Sequence, residues 1–579
     1  MISAFDTATI RQAEYDLVAH APLDHVMKKA AGAVAETCAQ LIAARDLARA
    51  GRVVALVGGG DNGGDALYAV AMLARSAIEC DAVILHAEPH PRGCQAAEDA
   101  GVHLVRPDLS RSPRAVAQAV ARTVIGCDVI IDGLVGTGGR GALREPFATV
   151  VTLVRAGLAD AGDRLGRTRR QSPQTGHRPG TSERSRRPLV VAVDTPSGLG
   201  GEDGSVAGVH LPADVTVTMG ALKPQAVLPP ASYSVGQVRL CDLGVTISTP
   251  ERARSLGAGD VGCAWSVPGP SDHKYTRGVA QVVAGSTEYP FTGVMCVEAA
   301  ARTGAGMVRY SGPAEASLAV LSRVPEAVGA PGRFQACLLG PGLSERDDAR
   351  IEQAGELMRT AHAANLPMVL DAGALRAWRR LVSQLPGGEI GPLAVLTPHA
   401  GEAAMLLTHL GAGSQRGGIS RAEVEAEPLR WATRLTECTG AIVVLKGAAT
   451  LIVAPGEIPY VQHQAPAWAG TAGSGDVLAG ILVAVAAAAQ AQSEQAGAEL
   501  TQADLARRIA AGVWVHGTAA RLAAGLRPDR PAAVDALSVQ AEDVEPIGAG
   551  APIIATDIIA AVPQAIRHAL AAGPLRYAG

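Results

Sequence analysis

The chain has 579 residues, more than one hydrophobic core usually serves, so we expect two or more α/β domains of roughly 100 to 250 residues each. Hydrophobic residues make up 48% and charged residues 18%, with 67 glycines, which indicates a globular protein rich in tight turns and not a disordered one. Only 3% of residues are aromatic and the net charge is -4, which argues against a nucleic-acid surface of basic patches and stacking rings.

The cysteines and the apolar runs indicate a cytoplasmic protein without a membrane span. The nine cysteines cannot all pair within one chain, because their number is odd, and no two of them form a CxxC motif. We therefore expect the protein to lie in a reducing cytoplasm. The N-terminus lacks a basic start followed by an apolar run, so we do not expect it to be a secretory signal. The apolar run after Asp476 is shorter than the ~20 residues that span a bilayer. We therefore expect a buried helix there and no membrane span.

The first strongly patterned segment is an apolar run at residues 52–57, which predicts a buried parallel strand. It leads through a glycine-rich stretch, residues 58–65, into a helix predicted from Ala66 to about Ala74. This order places helix-terminal N–H groups at the carboxyl end of a parallel strand, where nucleotide phosphates bind. A tight turn without a ligand has the same composition, so the pattern is weak by itself.

Two later apolar runs, residues 129–132 and 189–193, each lead into an aspartate. They predict strands that bring Asp132 and Asp194 to the same edge of the sheet as the glycine loop. Asp194 is the acid/base candidate. Asn62, Asp132 and Ser197 together would form an oxygen site for a monovalent cation, although each alone is more often a turn or cap residue.

These segments resemble the NAD(P)H-hydrate epimerase family over about residues 1–245. The resemblance rests on four motifs in order: the glycine loop, Asp132-Gly-Leu-Val-Gly-Thr-Gly138, Asp194-Thr-Pro-Ser-Gly-Leu199 and Val217-Thr-Met-Gly-Ala-Leu-Lys-Pro224. It implies a Rossmann-like fold that interconverts the R and S forms of hydrated NAD(P)H. It also implies that Asp194 contacts the substrate near the reacting ring, and that Asn62, Asp132 and Ser197 coordinate K⁺. The other substrate-binding residues that it implies are Asp61, Asn62, Gly63, Gly64, Asp65, Gly136, Thr137, Gly138, Gly139, Arg140, Gly141 and Ala142.

Two stretches suggest where the domains begin, end and carry an insertion. Residues 164–188 are rich in Arg, Ser, Gly and Pro, which predicts a disordered insertion at about residues 160–188. Such a basic run could bind an acidic partner, but a solvated loop is the commoner explanation. Weak periodicity at residues 242–262 places the junction near residues 246–256. The predicted domains are therefore residues 1–248 and 256–579.

The second half predicts another α/β series. Apolar runs alternate with helical segments and predict a largely parallel sheet, with strands at residues 279–284, 336–339, 368–371, 393–397 and 442–446. His399 and Lys446 stand beside glycine turns at strand ends. Alone, His399 would be interpreted as a cap and Lys446 as a surface charge, but their common position favours a nucleotide and substrate cleft.

Residues 471–476 join a glycine loop to Asp476 and to an apolar helix predicted from Val477 to Ala489. Glycine N–H groups and the positive end of a helix dipole suit a phosphate or a developing oxyanion. A capped glycine turn before a buried helix is the alternative interpretation of the stretch taken alone.

This half resembles the ribokinase-like superfamily, and within it the ADP-dependent NAD(P)H-hydrate dehydratases, from about residue 258 to the C-terminus. The motifs that carry the resemblance are His273-Lys274, Thr397-Pro-His-Ala-Gly-Glu402, Lys446-Gly-Ala-Ala-Thr450 and Gly473-Ser-Gly-Asp-Val-Leu-Ala-Gly480. It implies Mg²⁺ with ADP as the phosphoryl donor, and a nucleotide site that comprises Lys446, Gly447, Ala448, Ala449, Thr450 and Gly475. The implied contacts to hydrated NAD(P)H are Val294, Gly342, His399 and Asp476. Asp476 would orient or deprotonate the C6 hydroxyl, and the amides of residues 473–475 would stabilise the transferring phosphoryl group.

Three residues depart from these family patterns. Asp61 stands where an asparagine is usual, Val294 where alanine is favoured and Ala472 where a glycine is common. Asp61 adds a negative charge beside the expected substrate phosphates. The other two change the shape expected for the substrate and anion pockets.

The two resemblances together predict a bifunctional α/β enzyme, with a Rossmann-like doubly wound sheet followed by a ribokinase-like α/β sandwich. It would epimerise the R and S hydrates and then dehydrate the S hydrate with ADP, releasing AMP and phosphate. The expected partners are hydrated NADH or NADPH and ADP, in a homo-oligomer, without nucleic acid or membrane. Two alternatives stay open: a small-molecule kinase, such as one for a vitamin precursor, with an accessory nucleotide-binding domain, and a non-catalytic N-terminal module that regulates the second domain.

Overall fold

The chain folds into two units, seen in a computed structural model that describes residues 1–20, 22, 24–45, 51–137, 139, 141–170, 187–412, 418–529, 534–535 and 549–573. The N-terminal unit comprises Ala4–Glu251 and Ala532–Glu545. The C-terminal unit comprises Met1–Ser3, Arg252–Pro531 and Pro546–Gly579. Each unit thus includes a short segment from the far end of the chain. The first strand, β1 (Ile2–Ala4), lies at the edge of the C-terminal unit's sheet.

The N-terminal unit is built on an eight-stranded sheet in which every pairing is parallel. Its strands are β2 (Arg52–Val57), β3 (Glu79–Ile84), β4 (His103–Val105), β5 (Val129–Gly133), β6 (Leu189–Val193), β7 (Val215–Met219), β8 (Gln237–Cys241) and β18 (Val534–Asp535). The strand order is β18-β8-β7-β6-β5-β2-β3-β4. Because the chain runs from β2 through β3 to β4 and then returns to β5, the switch point of this doubly wound sheet lies between β2 and β5, where such sheets form a ligand crevice.

Helices cover both faces of this sheet. They are α1 (Thr7–His20), α2 (His25–Ala43), α3 (Asp61–Arg75), α4 (Pro91–Asp99), α5 (Pro113–Val124), α6 (Phe147–Arg170) and α7 (Pro224–Val227), with a 3₁₀ turn at Ala231–Ser234. Residues of α2, α3 and α4 form one core with the sheet, and residues of α5 and α6 form another. The predicted insertion at about residues 160–188 is wrong at its start, because α6 continues to Arg170. Residues 171–186 of that prediction lie outside the described residues.

The C-terminal unit is built on a ten-stranded sheet. Its remaining strands are β9 (Ala253–Ser255), β10 (Val279–Val283), β11 (Met307–Ser311), β12 (Ala336–Leu339), β13 (Met368–Leu370), β14 (Ala394–Leu396), β15 (Ile442–Leu445), β16 (Thr450–Val453) and β17 (Tyr460–Gln462). The order is β1-β9-β17-β16-β15-β14-β13-β12-β10-β11. The pairings from β11 to β15 are parallel, and β16 pairs antiparallel with both of its neighbours. The switch point lies between β10 and β12.

Twelve helices of this unit fall in the described part of the chain. They are α8 (Ala258–Ala264), α9 (Thr292–Thr303), α10 (Ala314–Arg323), α11 (Asp348–Ala363), α12 (Gly373–Arg376), α13 (Trp378–Val382), α14 (Ala400–His409), α15 (Arg421–Ala426), α16 (Pro428–Thr439), α17 (Ser474–Ala496), α18 (Gln502–Ala523) and α19 (Ala555–Ala572), with 3₁₀ turns at Pro386–Gly388 and Ala467–Ala469. The predicted class, two α/β units on largely parallel sheets, is confirmed.

The apolar helix α17 forms the centre of the C-terminal core. It is long and apolar enough to cross a membrane, but 78% of its most apolar window is buried inside the unit, as in the core helix of a globular domain. Gly480 lets α17 approach α9 closely, since a Cβ there would overlap the carbonyl oxygen of Cys296 and lie 2.9 Å from Cβ of Ala299.

We predict that Gly480→Ala destabilises the C-terminal unit by about 1–3 kcal/mol, because the added methyl has no space between α17 and α9. Gly32→Ala is the matched control, since a Cβ at Gly32 in α2 meets nothing within 4 Å. That substitution should stabilise its helix by about 0.5–1 kcal/mol. Hydrogen exchange of the amides in α17 and α2 measures both effects, and equal protection of α17 in wild type and Gly480→Ala would contradict the close packing.

Candidate active sites

The glycine loop of the N-terminal unit ends in the first turn of a helix. The structure begins α3 at Asp61, five residues before the predicted start, so Asp61 to Asp65 are helical and not part of a loop. Gly60 caps the helix without a side-chain hydrogen bond, and the first bond within the helix joins the N–H of Gly64 to the carbonyl oxygen of Gly60 at 3.2 Å. The preceding N–H groups of this turn therefore have no partner within the helix, which makes it suitable for an anion.

A cavity of about 640 Å³ opens in front of this turn. The predicted substrate residues that line it are Asp61, Asn62, Asp65, Gly136, Thr137, Gly139 and Asp194. Gly63 and Gly64 lie in the same turn of α3, and Gly141 and Ala142 follow in the loop after β5. Gly138 and Arg140 lie outside the described residues. The cavity thus joins the two glycine-rich segments to Asp194, at the switch point of the sheet.

Asp194 lies directly after β6, where its φ of 63° is left-handed, an uncommon angle for a residue with a Cβ. Its Oδ1 accepts hydrogen bonds from Nζ of Lys223, from Oγ1 of Thr218 at 3.3 Å and from the N–H of Met219 at 3.1 Å. The Lys223 side chain is 1% exposed and also donates to the carbonyl oxygen of Met219 at 2.7 Å. Asp194 lines the cavity, and the buried Lys223 is its ion-pair partner.

Asp132 and Ser197 meet behind the loop that follows β5. Oγ of Ser197 donates to Oδ1 of Asp132 at 2.6 Å, its N–H donates to Oδ2 at 2.8 Å, and both residues are fully buried. Asn62 lies close by, since its Nδ2 donates to the carbonyl oxygen of Val193 at 2.6 Å and a Cβ at Gly136 would overlap its side-chain amide.

This donor set fits a monovalent cation in chemical type. It consists of carboxylate, hydroxyl and amide oxygens. Burial raises the pKa of Asp132 to about 6, against the lowering effect of hydrogen bonds from Ser197 and Leu134. In the described part of the chain no cationic side chain forms an ion pair with Asp132, so a cation would supply the missing countercharge. No group of three or more His, Cys, Asp or Glu residues suited to a multivalent metal occurs among the described residues.

In the C-terminal unit the second glycine loop also ends inside a helix. The structure begins α17 at Ser474, three residues before the predicted start, and ends it at Ala496. Gly473 takes the left-handed φ of 87° that glycine adopts without strain, and the N–H of Val477 makes a helical bond to the carbonyl oxygen of Gly473 at 3.0 Å. The N–H groups of Gly475 and Asp476 therefore belong to the open first turn, as required for an anion site.

Lys446 stands beside this turn and is not a surface charge. A Cβ at Gly475 would lie 3.7 Å from Nζ of Lys446. That Nζ donates to Oδ1 of Asp371 at 2.7 Å and lies 4.0 Å from Oε2 of Glu402. Burial lowers the pKa of Lys446, but Asp371, Glu402 and Asp476 outweigh it and raise the pKa above its usual value. Lys446 is thus a charged lysine held at the start of α17.

Asp476, in the first turn of α17, has a carboxyl with a raised pKa. Burial, followed by repulsion from Asp371, raises its pKa to about 7, while Lys446 lowers it. The carboxyl therefore changes protonation near neutral pH, where a general base exchanges protons most effectively.

The other residues predicted for this site lie at a helix cap, against the core and in a turn between two strands. His399 is the N-cap of α14, where Nδ1 accepts from the N–H groups of Gly401 at 3.0 Å and Glu402 at 3.2 Å. Val294 is half-buried against the core, and Gly342 has a φ of 67° where a Cβ would overlap Oγ1 of Thr292. The segment from Lys446 to Thr450, which includes Gly447, Ala448 and Ala449, forms the turn between β15 and β16.

Comparisons with known proteins identify both halves. A family model described as "YjeF-related protein N-terminus" matches residues 23–225, and one described as "NAD(P)H-hydrate dehydratase" matches residues 280–536. The bifunctional NAD(P)H-hydrate repair enzyme Nnr of Mycobacterium tuberculosis (strain CDC 1551 / Oshkosh) is 35% identical over 500 residues, which cover 85% of this chain and 90% of that protein. The Mycobacterium leprae (strain TN) enzyme of the same name is 36% identical over 501 residues, with the same coverage. This chain belongs to the family of bifunctional NAD(P)H-hydrate repair enzymes.

Among solved structures, the ADP/ATP-dependent NAD(P)H-hydrate dehydratase from Bacillus subtilis, co-crystallised with ATP and Mg²⁺, is similar to part of the chain. It is 20% identical with a TM-score of 0.40, and the match covers 54% of this chain and 97% of that one.

Sequence reasoning overlooked two residues of this repair enzyme's sites. Lys223 lies inside a quoted motif but received no role, and Asp371 ends a predicted strand without being assigned to the site. Both are buried partners of a residue of opposite charge. A lysine in the apolar stretch around Met219 and Leu222 was the available signal, because a buried lysine needs an acidic partner.

We predict that Lys223→Met destabilises the N-terminal unit by about 3–5 kcal/mol, because it leaves Asp194 buried without its cation. Combining it with Asp194→Asn should recover part of that loss, since the uncompensated charge is then gone. Lys29→Met, at an exposed position on α2, is the control and should change little. Hydrogen exchange of the amides in β6 and β7 provides the measurement, and full additivity of the two substitutions would refute the coupling.

Proposed function

We propose that the chain repairs hydrated NAD(P)H in two steps, with epimerisation of the R and S hydrates in the N-terminal unit and dehydration of the S hydrate in the C-terminal unit. The observation that carries the proposal is the same arrangement in both units: an open helix N-terminus beside a buried Asp–Lys pair at the carboxyl edge of the sheet. Family membership supports the pairing of the two activities.

In the N-terminal unit, the open first turn of α3 would hold substrate phosphates through the N–H groups of Asp61, Asn62 and Gly63. Asp194, held by its ion pair with Lys223, would then face the nicotinamide ring. The Asp61 carboxylate lies beside the same anion site and weakens it relative to an asparagine, because like charges repel. Asn62, Asp132 and Ser197 are the residues that would hold K⁺, which would neutralise Asp132 and fix the loop after β5.

In the C-terminal unit, Asp476 takes the proton of the C6 hydroxyl as its oxygen attacks the terminal phosphoryl group of ADP. The N–H groups of Gly475 and Asp476, with Lys446, stabilise the negative charge of the transferring group. Mg²⁺ bound with the nucleotide would neutralise phosphate oxygens. The electron pair of the ring nitrogen then expels phosphate from C6, which breaks the C6–O bond and forms an N1=C6 bond. Loss of a proton from C5 restores the dihydropyridine. The products are NAD(P)H, AMP and phosphate.

The finer assignments are part of this proposal. They are K⁺ in the N-terminal unit, ADP in preference to ATP, a homo-oligomer and a reducing cytoplasm. The odd number of cysteines, nine, and the lack of a CxxC pair support the last of these.

We expect Asp476→Asn to lower dehydration about 10²–10⁴-fold while epimerisation continues, and Asp194→Asn to limit recovery to the S fraction. Mixed hydrate epimers are supplied with ADP and Mg²⁺, and dihydronicotinamide absorbance is followed together with phosphate release. Asp504→Asn is the control, because Asp504 is an exposed carboxylate in the first turn of another helix, α18.

Three results would count against this function. Wild-type protein without recovery would overturn the repair activity. Accumulation of a phosphorylated product would indicate a small-molecule kinase. The opposite pattern of the two variants would exchange the roles of the two units.

The raised pKa of Asp476, about 7, predicts the pH dependence of dehydration. Asp476 must be ionised to accept a proton, so the rate should rise with pH and level off above about 7. Since Lys446 lowers the pKa of Asp476, Lys446→Gln should move this limb to higher pH. The rate constant at saturating substrate and ADP gives the profile, and a flat profile across neutral pH would exclude Asp476 as the base.

A further inference from the structure

Glu14 is an unassigned carboxyl in the cavity of the N-terminal unit. It lies on α1 and lines the cavity that also holds Asp194. Its Oε1 is buried, and among the described residues no donor forms a hydrogen bond with it. The nearest cation is Lys223, whose Nζ lies 3.9 Å from Oε1. A buried acceptor without a donor is costly in a folded protein, so its position needs a functional explanation.

Lys223 connects Glu14 to Asp194. The ammonium group donates to Asp194 and lies within 4 Å of Glu14, so two carboxyl groups from different elements share one cation. The two carboxyls differ in their hydrogen bonds. Oδ1 of Asp194 accepts three hydrogen bonds, whereas no donor among the described residues reaches Oε1 of Glu14. The pair is therefore suited to hold one proton on Glu14.

Epimerisation at C6 by loss and return of water involves two proton transfers, one to the leaving hydroxyl and one from the incoming water. Two carboxyl groups can divide these transfers, with one protonated while the other is ionised. Asp194 at the end of β6 and Glu14 on α1 both border the cavity, and among the described residues that line it only these two carboxyls form ion pairs with Lys223.

Building on the proposed epimerase function, we propose that Glu14 is the second acid/base group of this site, acting on the C6 hydroxyl from a position next to Asp194, with which it shares Lys223. Glu14 donates a proton to the C6 hydroxyl and the C6–O bond breaks to release water. The electron pair of the ring nitrogen forms the N1=C6 bond. Water then adds to the other face, the pair returns to nitrogen, and the surplus proton reaches Asp194 through water in the cavity. Asp194 releases this proton to water and Glu14 takes one from water, since both carboxyls line the cavity, so no atom or electron is gained or lost.

The electrostatic surroundings agree with this role. Burial raises the pKa of Glu14 to about 7, with Asp194 and Asp61 raising it further and Lys223 and Arg11 lowering it. Asp65 is the rival carboxyl of the cavity, and its Oδ1 also lacks a donor. Burial and the carboxylates of Asp194, Asp61 and Glu14 raise the pKa of Asp65 well above its usual value. Among the described residues Glu14, and not Asp65, forms an ion pair with Lys223, which distinguishes the two carboxyls.

The test uses the full chain with Glu14→Gln, and Asp16→Asn as the matched control. Asp16 is an exposed carboxylate on the same helix. Exchange between the R and S hydrates is measured without ADP, after subtraction of the uncatalysed rate. We expect Glu14→Gln to lower kcat about 10²-fold or more with KM unchanged. Dehydration of pure S hydrate with ADP should be unchanged, and so should hydrogen exchange in α2 and α3. Asp16→Asn should leave all of these at the wild-type values.

Two further readouts separate a chemical role from a structural one. Wild-type epimerisation should fall as pH rises through about 7, since the ionised form of Glu14 gives up no proton, and Glu14→Gln should lose this limb. In ¹⁸O-labelled water each epimerisation should place one solvent oxygen at C6. Both readouts hold on the wild-type protein even if Glu14→Gln does not fold.

The outcomes distinguish this inference from the function on which it rests. Absence of epimerisation in the wild type would remove the epimerase function itself. An active wild type with an equally active Glu14→Gln would overturn the inference alone. Retention of the original C6 oxygen, or loss of the pH limb in Asp65→Asn and not in Glu14→Gln, would overturn it as well.

Discussion

Each unit of this enzyme buries one lysine against one aspartate at the carboxyl edge of its sheet. Lys223 pairs with Asp194 in the N-terminal unit, and Lys446 pairs with Asp371 in the C-terminal unit. A buried charge without its partner costs several kcal/mol, so each pair constrains the loops that carry it. The helix N-terminus beside each pair then has a defined position relative to a charged group, and the cavity or cleft forms around that position.

In both units the ion pair leaves a second carboxyl to exchange protons. Asp194 and Asp371 each accept hydrogen bonds at Oδ1 from a lysine and from a threonine hydroxyl. Glu14 and Asp476 lie partly buried nearby, and burial raises the pKa of each to about 7. Each lysine lowers the pKa of its unit's reactive carboxyl without neutralising it. Two unrelated sheets thus arrive at the same division between a carboxylate that holds position and a carboxyl that transfers a proton.

The chemistry of the two steps is correspondingly close. In both proposed reactions the electron pair of the ring nitrogen expels the oxygen substituent from C6. The two reactions differ in the leaving group, which is water in the first and phosphate in the second. Water suffices when the bond is formed again on the other face, which is epimerisation. Net loss of the oxygen needs a better leaving group, which phosphoryl transfer supplies, and this explains a kinase-like helix N-terminus in the second unit. One chain that performs both steps recovers both epimers.

The sequence by itself determined the strands and the polar residues at their ends. Runs such as Arg52–Val57, Leu189–Val193 and Ala336–Leu339 occur where the patterns predict them, because a strand buried on both faces must be apolar throughout. The predicted helix starts were wrong at both glycine loops. Glycine disfavours helices, so the glycine-rich stretches were predicted as loops, although glycines in the first turn of a helix leave space for other segments to approach closely. Only the tertiary structure decided which charges meet. Lys223 pairs with Asp194, 29 residues away in the sequence, and Lys446 pairs with Asp371, 75 residues away. Glu14, which lies near Lys223 in space, comes from the first helix of the unit. Such pairs depend on how strands and helices pack in space, and no local pattern records the distance between residues brought together by a sheet.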